Sequence, residues 1–534
     1  MKRKIYIWAV LIMLAAVFAS PAASFASEDY DTAGATYFTF TSSGITVKEG
    51  SYKGYSIEGT ALKITGSGTY VVSGSCQDGT ITVKKGTQDV ILVLSSLTLT
   101  SSDSAPITCN KQSEVTIIVK DATKNSLSDT ELNNDETHTE NENAENAVIK
   151  CKDGSVVTIC GSGTLNITAN GKNGIKGGGT LYEEDESGSA TSTVIAQGSL
   201  TIMEATVNVT CNANDGIKSD TLLEIISGNI TVSAPDDAIK CDYILNIGSK
   251  GTDGPTINVT KSTEGIEAAE INVYSGNVTV NSTDDGINAA NSDLSGYSFA
   301  YRQYGGYVWV NCTKGDAVDS NGTVELYGGT LESYAPSQGD GDPIDSDRGT
   351  TFAGTTVLAC GHQGMRQQYS AQAAYVVFSG NSLASAGDTL EIRNGSGSTL
   401  YTAEAVRNTS YIVFSSPEIA SSETLTLYVN GSSVTTGTAA AQGGTGGYGP
   451  GGNGGYAPGM NSGYGHGPAG APQQGQQPPE NVPDGIQQGP AVTESSEQGD
   501  EGYSNAGQED NDASSPGIFE RLLNWLRSIF GIDR

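Results

Sequence analysis

The stretch Asn212-Ala213-Asn214-Asp215-Gly216-Ile217-Lys218-Ser219 decides the fold, because its pattern does not occur only once. An acid, a small residue and an aliphatic one recur at Asp237-Ala238-Ile239, Glu264-Gly265-Ile266, Asp285-Gly286-Ile287, Asp316-Ala317-Val318 and Asp342-Pro343-Ile344. Weaker copies stand upstream at Ala105-Pro106-Ile107, Ala147-Val148-Ile149 and Asn173-Gly174-Ile175. From Ile217 to Ile344 the aliphatic residue advances by 22, 27, 21, 31 and 26 positions, and two upstream steps of 42 hold polar insertions near 122–145 and 182–193. Between the copies lie alternating runs such as Asn229-Ile230-Thr231-Val232 and Asn277-Val278-Thr279-Val280, which read as short half-buried strands separated by glycine turns. A unit this short cannot bury its own apolar face, so the copies must stack as coils of a parallel β-helix. Leucine-rich repeats would need a leucine pattern that is missing here, and a propeller a longer period.

Composition agrees. The chain has 534 residues with 69 glycines and only 16% charged positions, which suits strands and tight turns and excludes helical bundles. A formal net charge of −32 excludes nucleic acid as a partner, since a polyanion would be repelled. Three histidines leave little material for a zinc site or a Ser-His-Asp triad, so carboxylates, lysines and tyrosines must carry the chemistry.

Stacking turns repeat positions into columns about 4.8 Å apart per coil. Two residues after the aliphatic, the column Cys109, Cys151, Gly177, Ser219, Cys241, Ala268, Ala289, Ser320, Ser346 is uniformly small, which predicts a tight inward corner with buried thiols. Cys211 and Cys312 fall four coils apart, too far for a disulfide, and the pair that successive coils could join is Cys109 and Cys151. Two residues before the aliphatic stand Asp215, Asp237, Glu264, Asp285, Asp316 and Asp342, with Asp236 and Asp284 alongside. Like charges at that spacing repel by roughly 3.5 kcal/mol at an effective dielectric near 20. One residue after the aliphatic, the column runs Lys150, Lys176, Lys218, Lys240 and then switches to Glu267, Asn288, Asp319, Asp345. Lysines neutralise the first coils. For the later ones the sequence supplies no cation, which points to calcium, a hard ion that takes oxygen ligands. The expected ligands are Asp215, Asp236, Asp237, Glu264, Glu267, Asp284, Asp285, Asp316 and Asp319.

The ends of the chain differ from its body. Residues 1–26 open with Lys2, Arg3 and Lys4, continue through an apolar run and reach Ser24-Phe25-Ala26, which reads as a secretory signal peptide and predicts a secreted, extracellular or cell-surface protein. Residues 435–515 are rich in Gly, Pro, Gln and acids and read as a disordered linker. Residues 516–534 place Ile518, Phe519, Leu522, Leu523, Leu526, Ile529 and Phe530 at helical spacing, an amphipathic helix suited to docking on a membrane surface or a partner protein.

The segment from about Ile45 to Gly431 resembles a secreted carbohydrate-binding β-helix family related in architecture to polysaccharide lyases, found in cellulolytic and gut anaerobes. The matching stretches are 212–219, Pro235-Asp236-Asp237-Ala238-Ile239, Gly315-Asp316-Ala317-Val318-Asp319-Ser320-Asn321-Gly322, Gly361-His362-Gln363-Gly364-Met365 and, near the end, Val413-Phe414-Ser415-Ser416-Pro417. The resemblance implies a right-handed parallel β-helix over residues 27–365, a β-rich end module over 366–434, calcium in acidic turns and binding of plant polysaccharides or acidic sugars. Ala317 and Pro343 stand where the pattern usually has glycine.

Three functions follow for comparison. A non-catalytic carbohydrate-binding protein would use Lys218 and Lys240 beside the acidic column, together with Tyr301 and Tyr304 from the long step between Ile287 and Val318, whose aromatic residues would stack on sugar rings. A calcium-dependent polyuronate lyase would use Lys218 or Lys240 as the base that removes the proton next to the uronate carboxylate. An adhesin or spacer would need only the repeats and the tail.

Overall fold

A computed structural model of the chain describes residues 32–184, 190–339, 341–362 and 369–440. The expected leader over 1–26 and terminal helix over 516–534 lie outside these residues, as does nearly all of the expected linker.

Each coil contributes three short strands, and each strand pairs in parallel with its counterpart one coil on. In the first sheet the aliphatic column is in continuous register from Ile107 through Ile149, Ile175, Ile217, Ile239, Ile266 and Ile287 to Val318. These side chains are 0–1% exposed and form the spine of one core running from Phe38 to Val413. Burying each is worth about 1.5–3 kcal/mol. A second sheet holds strands such as Leu222–Ile225 and Thr323–Leu326, and a third holds Thr206–Cys211, Asn229–Ser233 and Asn277–Ser282. The turn from third to first sheet is kept in step by its own backbone ladder, in which Gly216 N–H donates to Asp237 O and Gly286 N–H to Asp316 O. The coils approach so closely there that a Cβ on Gly216 would stand 2.3 Å from Val232 Cγ1 and 2.6 Å from Ala238 O. A Gly216→Val change should therefore force the two coils apart.

The small column behaves as its composition predicts. Cys109 lies opposite Cys151, Gly177 opposite Ser219, and Cys241 opposite Ala268, all buried. Cys109 and Cys151 are buried free thiols, so the one pair that the spacing left open for a disulfide is not joined.

Both ends of the stack are closed by antiparallel strands, which removes the open edges that would otherwise pair with other chains. Thr36–Thr41 pairs with Gly44–Lys48 and lies along Gly68–Cys76. At the far end Thr356–Gly361 pairs antiparallel with Thr409–Ser415, and a four-stranded antiparallel sheet follows with its own core of Leu390, Ile392, Leu425 and Leu427. Tyr401 of this end piece donates to Glu332 Oε1 at 2.8 Å beside Tyr307 at 2.9 Å, while Tyr334 donates to Oε2, so the buried Glu332 carboxylate ties the last coils to the cap. Tyr369–Ala371 still pairs with Thr350–Phe352 of the helix, and the last strand, Ser432–Thr438, runs past residue 434.

The insertion near 182–193 is flanked by two antiparallel strands, Thr180–Glu184 and Ala190–Gln197, a hairpin that leaves the corner between first and second sheets.

Candidate functional site

The acidic residues gather on the turn that enters the first sheet, with the lysine and acid column just beyond it on that sheet's outward side. One oxygen from each carboxylate brings Asp215, Asp236 and Asp237 within 4.8 Å of one another, then Asp237, Glu264 and Glu267, then Asp316, Asp319 and Asp345. Asp345 is absent from the expected ligand set, although its place one residue after Ile344 was a usable signal. Asp284 and Asp285 form a different feature: a Cβ on Gly315 would lie 2.4 Å from an oxygen of each, so the two carboxylates converge where only glycine leaves room.

The first and second clusters already have a cation. Lys240 Nζ lies 2.6 Å from Asp237 Oδ2 and 2.9 Å from Glu267 Oε2, bridging two coils. Burial works against the ammonium, but Asp237 and Glu267 together hold its pKa well above the ordinary lysine value. Burial pushes Asp237 upward, with Glu267 adding to it and Lys240 opposing it. Asp215 is raised by burial against the pull of Lys218 and Lys240, and its buried Oδ1 has no hydrogen-bond partner. That orphaned oxygen is the kind of group a bound cation would satisfy.

The third cluster is unlike these. Its outward column holds Asp319 where Lys240 stands three coils earlier, and no described lysine or arginine makes an ion pair with Asp316 or Asp319. Burial raises Asp316 to about 8, with Asp285, Asp319 and Asp345 adding to it. Burial likewise raises Asp319 to about 7, helped by Asp285 and Asp345, and Asp285 to about 6. Carboxylates so strained by desolvation and by one another fit a hard divalent ion, which takes several oxygens and offsets both penalties.

Two further lysines reach acids of the next coil. Lys176 pairs with Asp220 at 3.3 Å and Lys218 with Asp242 at 3.6 Å, each reaching an acid three residues after the aliphatic of the next coil, and Lys218 is also raised in pKa. An ammonium held in this way would be a poor base. Lys150 is the exception that sequence reasoning missed. Its counterpart position in the next coil is Gly178 instead of an acid; burial and then Lys176 push its pKa down to about 8, against the pull of Asp220 and Glu145.

Of the two tyrosines expected to meet sugar, Tyr301 is wholly buried, its hydroxyl donating to Gln303 Oε1 at 3.0 Å. The strand Ala300–Gln303 continues the second sheet, and its alternation turns Tyr301 inward. Tyr304 is 43% exposed, but it sits between Tyr274 and Tyr327 with ring centroids 5.1 and 5.2 Å away and planes 6° and 12° apart. Both its faces are covered by neighbouring rings, which leaves its edge and hydroxyl, not a stacking platform for sugar.

A parallel β-helix with capped ends and carboxylate clusters along one turn defines a class of repeat protein. The sequence model for carbohydrate-binding domain-containing proteins matches residues 58–300 and 186–426, more than half of the chain, and the chain belongs to that family. A carbohydrate-binding domain-containing protein of Acetivibrio thermocellus is 37% identical over 123 residues, which are 23% of this chain and 42% of that relative, so the match spans less than half of the relative's length. A solved structure of a polysaccharide lyase-like protein from C. thermocellum, a gadolinium derivative, aligns with 59% of this chain and 95% of its own at 22% identity and a TM-score of 0.33, an overlap too slight to bear on function.

Proposed function

We propose that this protein is an extracellular, calcium-dependent and non-catalytic binder of plant polysaccharide, either cellulosic or pectic. Membership of the carbohydrate-binding family is the observation that carries the carbohydrate reading. The calcium reading is supported by the Asp316, Asp319 and Asp345 cluster, and by the orphaned oxygen of Asp215. Asp316, Asp319 and Asp345 would hold the ion, with Asp285 close enough to raise the pKa of the first two. Calcium there would supply positive charge that rigidifies the turn. The leader-like residues 1–26 support export, to a compartment where calcium is abundant.

The test is retention of the purified full chain on pectin and on cellulose, with calcium and with chelator. Binding that needs calcium, with no unsaturated product absorbing in the ultraviolet, is the expected result. Absence of retention on either polymer with calcium present would overturn it, and accumulation of unsaturated product would replace it with a lyase.

A further inference from the structure

Three ammonium groups collect in a part of the molecule that the acidic column does not touch. At the corner between first and second sheets the turns of successive coils lie against each other: Lys84 N–H donates to Ile64 O, Gly86 N–H to Lys111 O, Gln112 N–H to Asp153 O and Gly154 N–H to Gly179 O. A recess of about 360 Å³ opens here between residues 65–67 and 84–89. A second, of about 220 Å³, shares Lys85 and is lined by Lys111, Gln112, Leu181, Tyr182 and Ile195. The hairpin supplies that far wall. Its root presses on Gly154, where a Cβ would come within 2.8 Å of Ala196 Cβ and 3.2 Å of Leu181 Cβ. Tyr182 is 40% and Ile195 50% exposed, apolar surface held in the open beside charged groups.

Lys84 and Lys85 are exposed and make no ion pair among the described residues, and Lys111 has only Asp153 at 3.6 Å. Asp89 lines the larger recess, so three ammonium groups face two carboxylates in a chain of net charge −32. Lysine, glutamine and threonine around an exposed aromatic ring match a sugar that bears both hydroxyls and negative charge. We infer that this joined recess is a subsite for an acidic polysaccharide, with Lys85 and Lys111 meeting uronate carboxylates and Tyr182 lying against a sugar ring. This rests on the carbohydrate-binding reading and names the substrate class and the surface, away from the calcium clusters.

The experiment measures binding of polygalacturonate and of a neutral β-glucan to the full chain by affinity electrophoresis and calorimetry, for the unsubstituted protein, Lys85→Ala/Lys111→Ala and Tyr182→Ala. The lysine double variant should bind polygalacturonate about fivefold to tenfold more weakly, as expected for two partly exposed ion pairs, and its response of melting temperature to calcium should not change. Raising the salt should weaken the unsubstituted protein toward the level of that variant. Tyr182→Ala should weaken binding without altering the salt dependence. Equal polygalacturonate affinity in the lysine double variant would overturn the assignment and leave carbohydrate binding standing, whereas a protein that binds neither polymer would bring down both.

Discussion

From Lys150 to Lys240 the outward column of the first sheet carries ammonium groups; from Glu267 to Asp319 the same column, on the same backbone register, carries carboxylates and one amide. The coils are equally spaced in both halves, so the electrostatic problem is the same and only its solution differs. In the first half a lysine reaches an acid one coil on, as Lys176 does with Asp220 and Lys240 with Glu267. In the second half burial and mutual repulsion fall on Asp285, Asp316 and Asp319, whose pKa values rise to between about 6 and about 8. A covalently attached cation makes the stack self-sufficient; its absence makes stability depend on protons or on an ion from solution.

The largest effect should come from converting the first half into the second. Lys240→Met strands Asp237 and Glu267 as buried carboxylates and should cost about 3–5 kcal/mol in denaturant unfolding, the loss typical of breaking a buried pair. Calcium should recover part of that loss, because the vacated cluster then resembles the one at Asp316; a Lys240→Met protein as stable as the parent would show that the bridge does nothing.

For the unsubstituted protein, calcium at about one hundred times its dissociation constant should add about 2.7 kcal/mol for one site. Asp319→Asn should abolish that gain while Asp236→Asn leaves it, if the ion sits in the second half. Melting curves identical with calcium and with chelator would end the calcium reading.

The pH dependence sharpens the contrast further. Asp285, Asp316 and Asp319 have folded pKa values above their unfolded ones near 4, so the folded state binds more protons than the unfolded state between those values. Their contribution is fully present below about pH 4 and is lost as the pH rises through about 6 to 8. In chelator the melting temperature should therefore fall from about pH 5 to about pH 8, and calcium should flatten the decline. A rise over that interval in chelator would refute the assignment.

The smallest effect belongs to Lys150. With its pKa near 8 it should react with an amine reagent at pH 8 well ahead of Lys218 and Lys240, as read by peptide mass spectrometry. Equal labelling of the three would mean that Gly178 makes no difference to it.

How much of this was legible beforehand varies by residue. The register of the columns was, because a repeat that steps by one coil leaves no freedom in which residue lies over which: Ile217 over Ile239 and Lys218 over Lys240 follow from counting. The clustering of Asp215 with Asp236 and Asp237 was also within reach. The reach of a lysine was not. Whether Lys218 turns to Asp215 or to Asp242 depends on side-chain rotamers and on what lies beside them, and it makes its ion pair with Asp242. Spacing alone does not say which residues of the long step between Ile287 and Val318 form a strand, and the strand Ala300–Gln303 is what turns Tyr301 from solvent to core.

Periodicity, the sign of each column and the family resemblance therefore all reside in the order of residues, since stacking converts sequence position directly into axial position. The insertions do not obey that rule. Nothing in the spacing says that the hairpin at Thr180–Gln197 bends back across Gly154 until Tyr182 and Ile195 share a recess with Lys85 and Lys111. That meeting brings together residues from three separate turns, and only packing in three dimensions could create it.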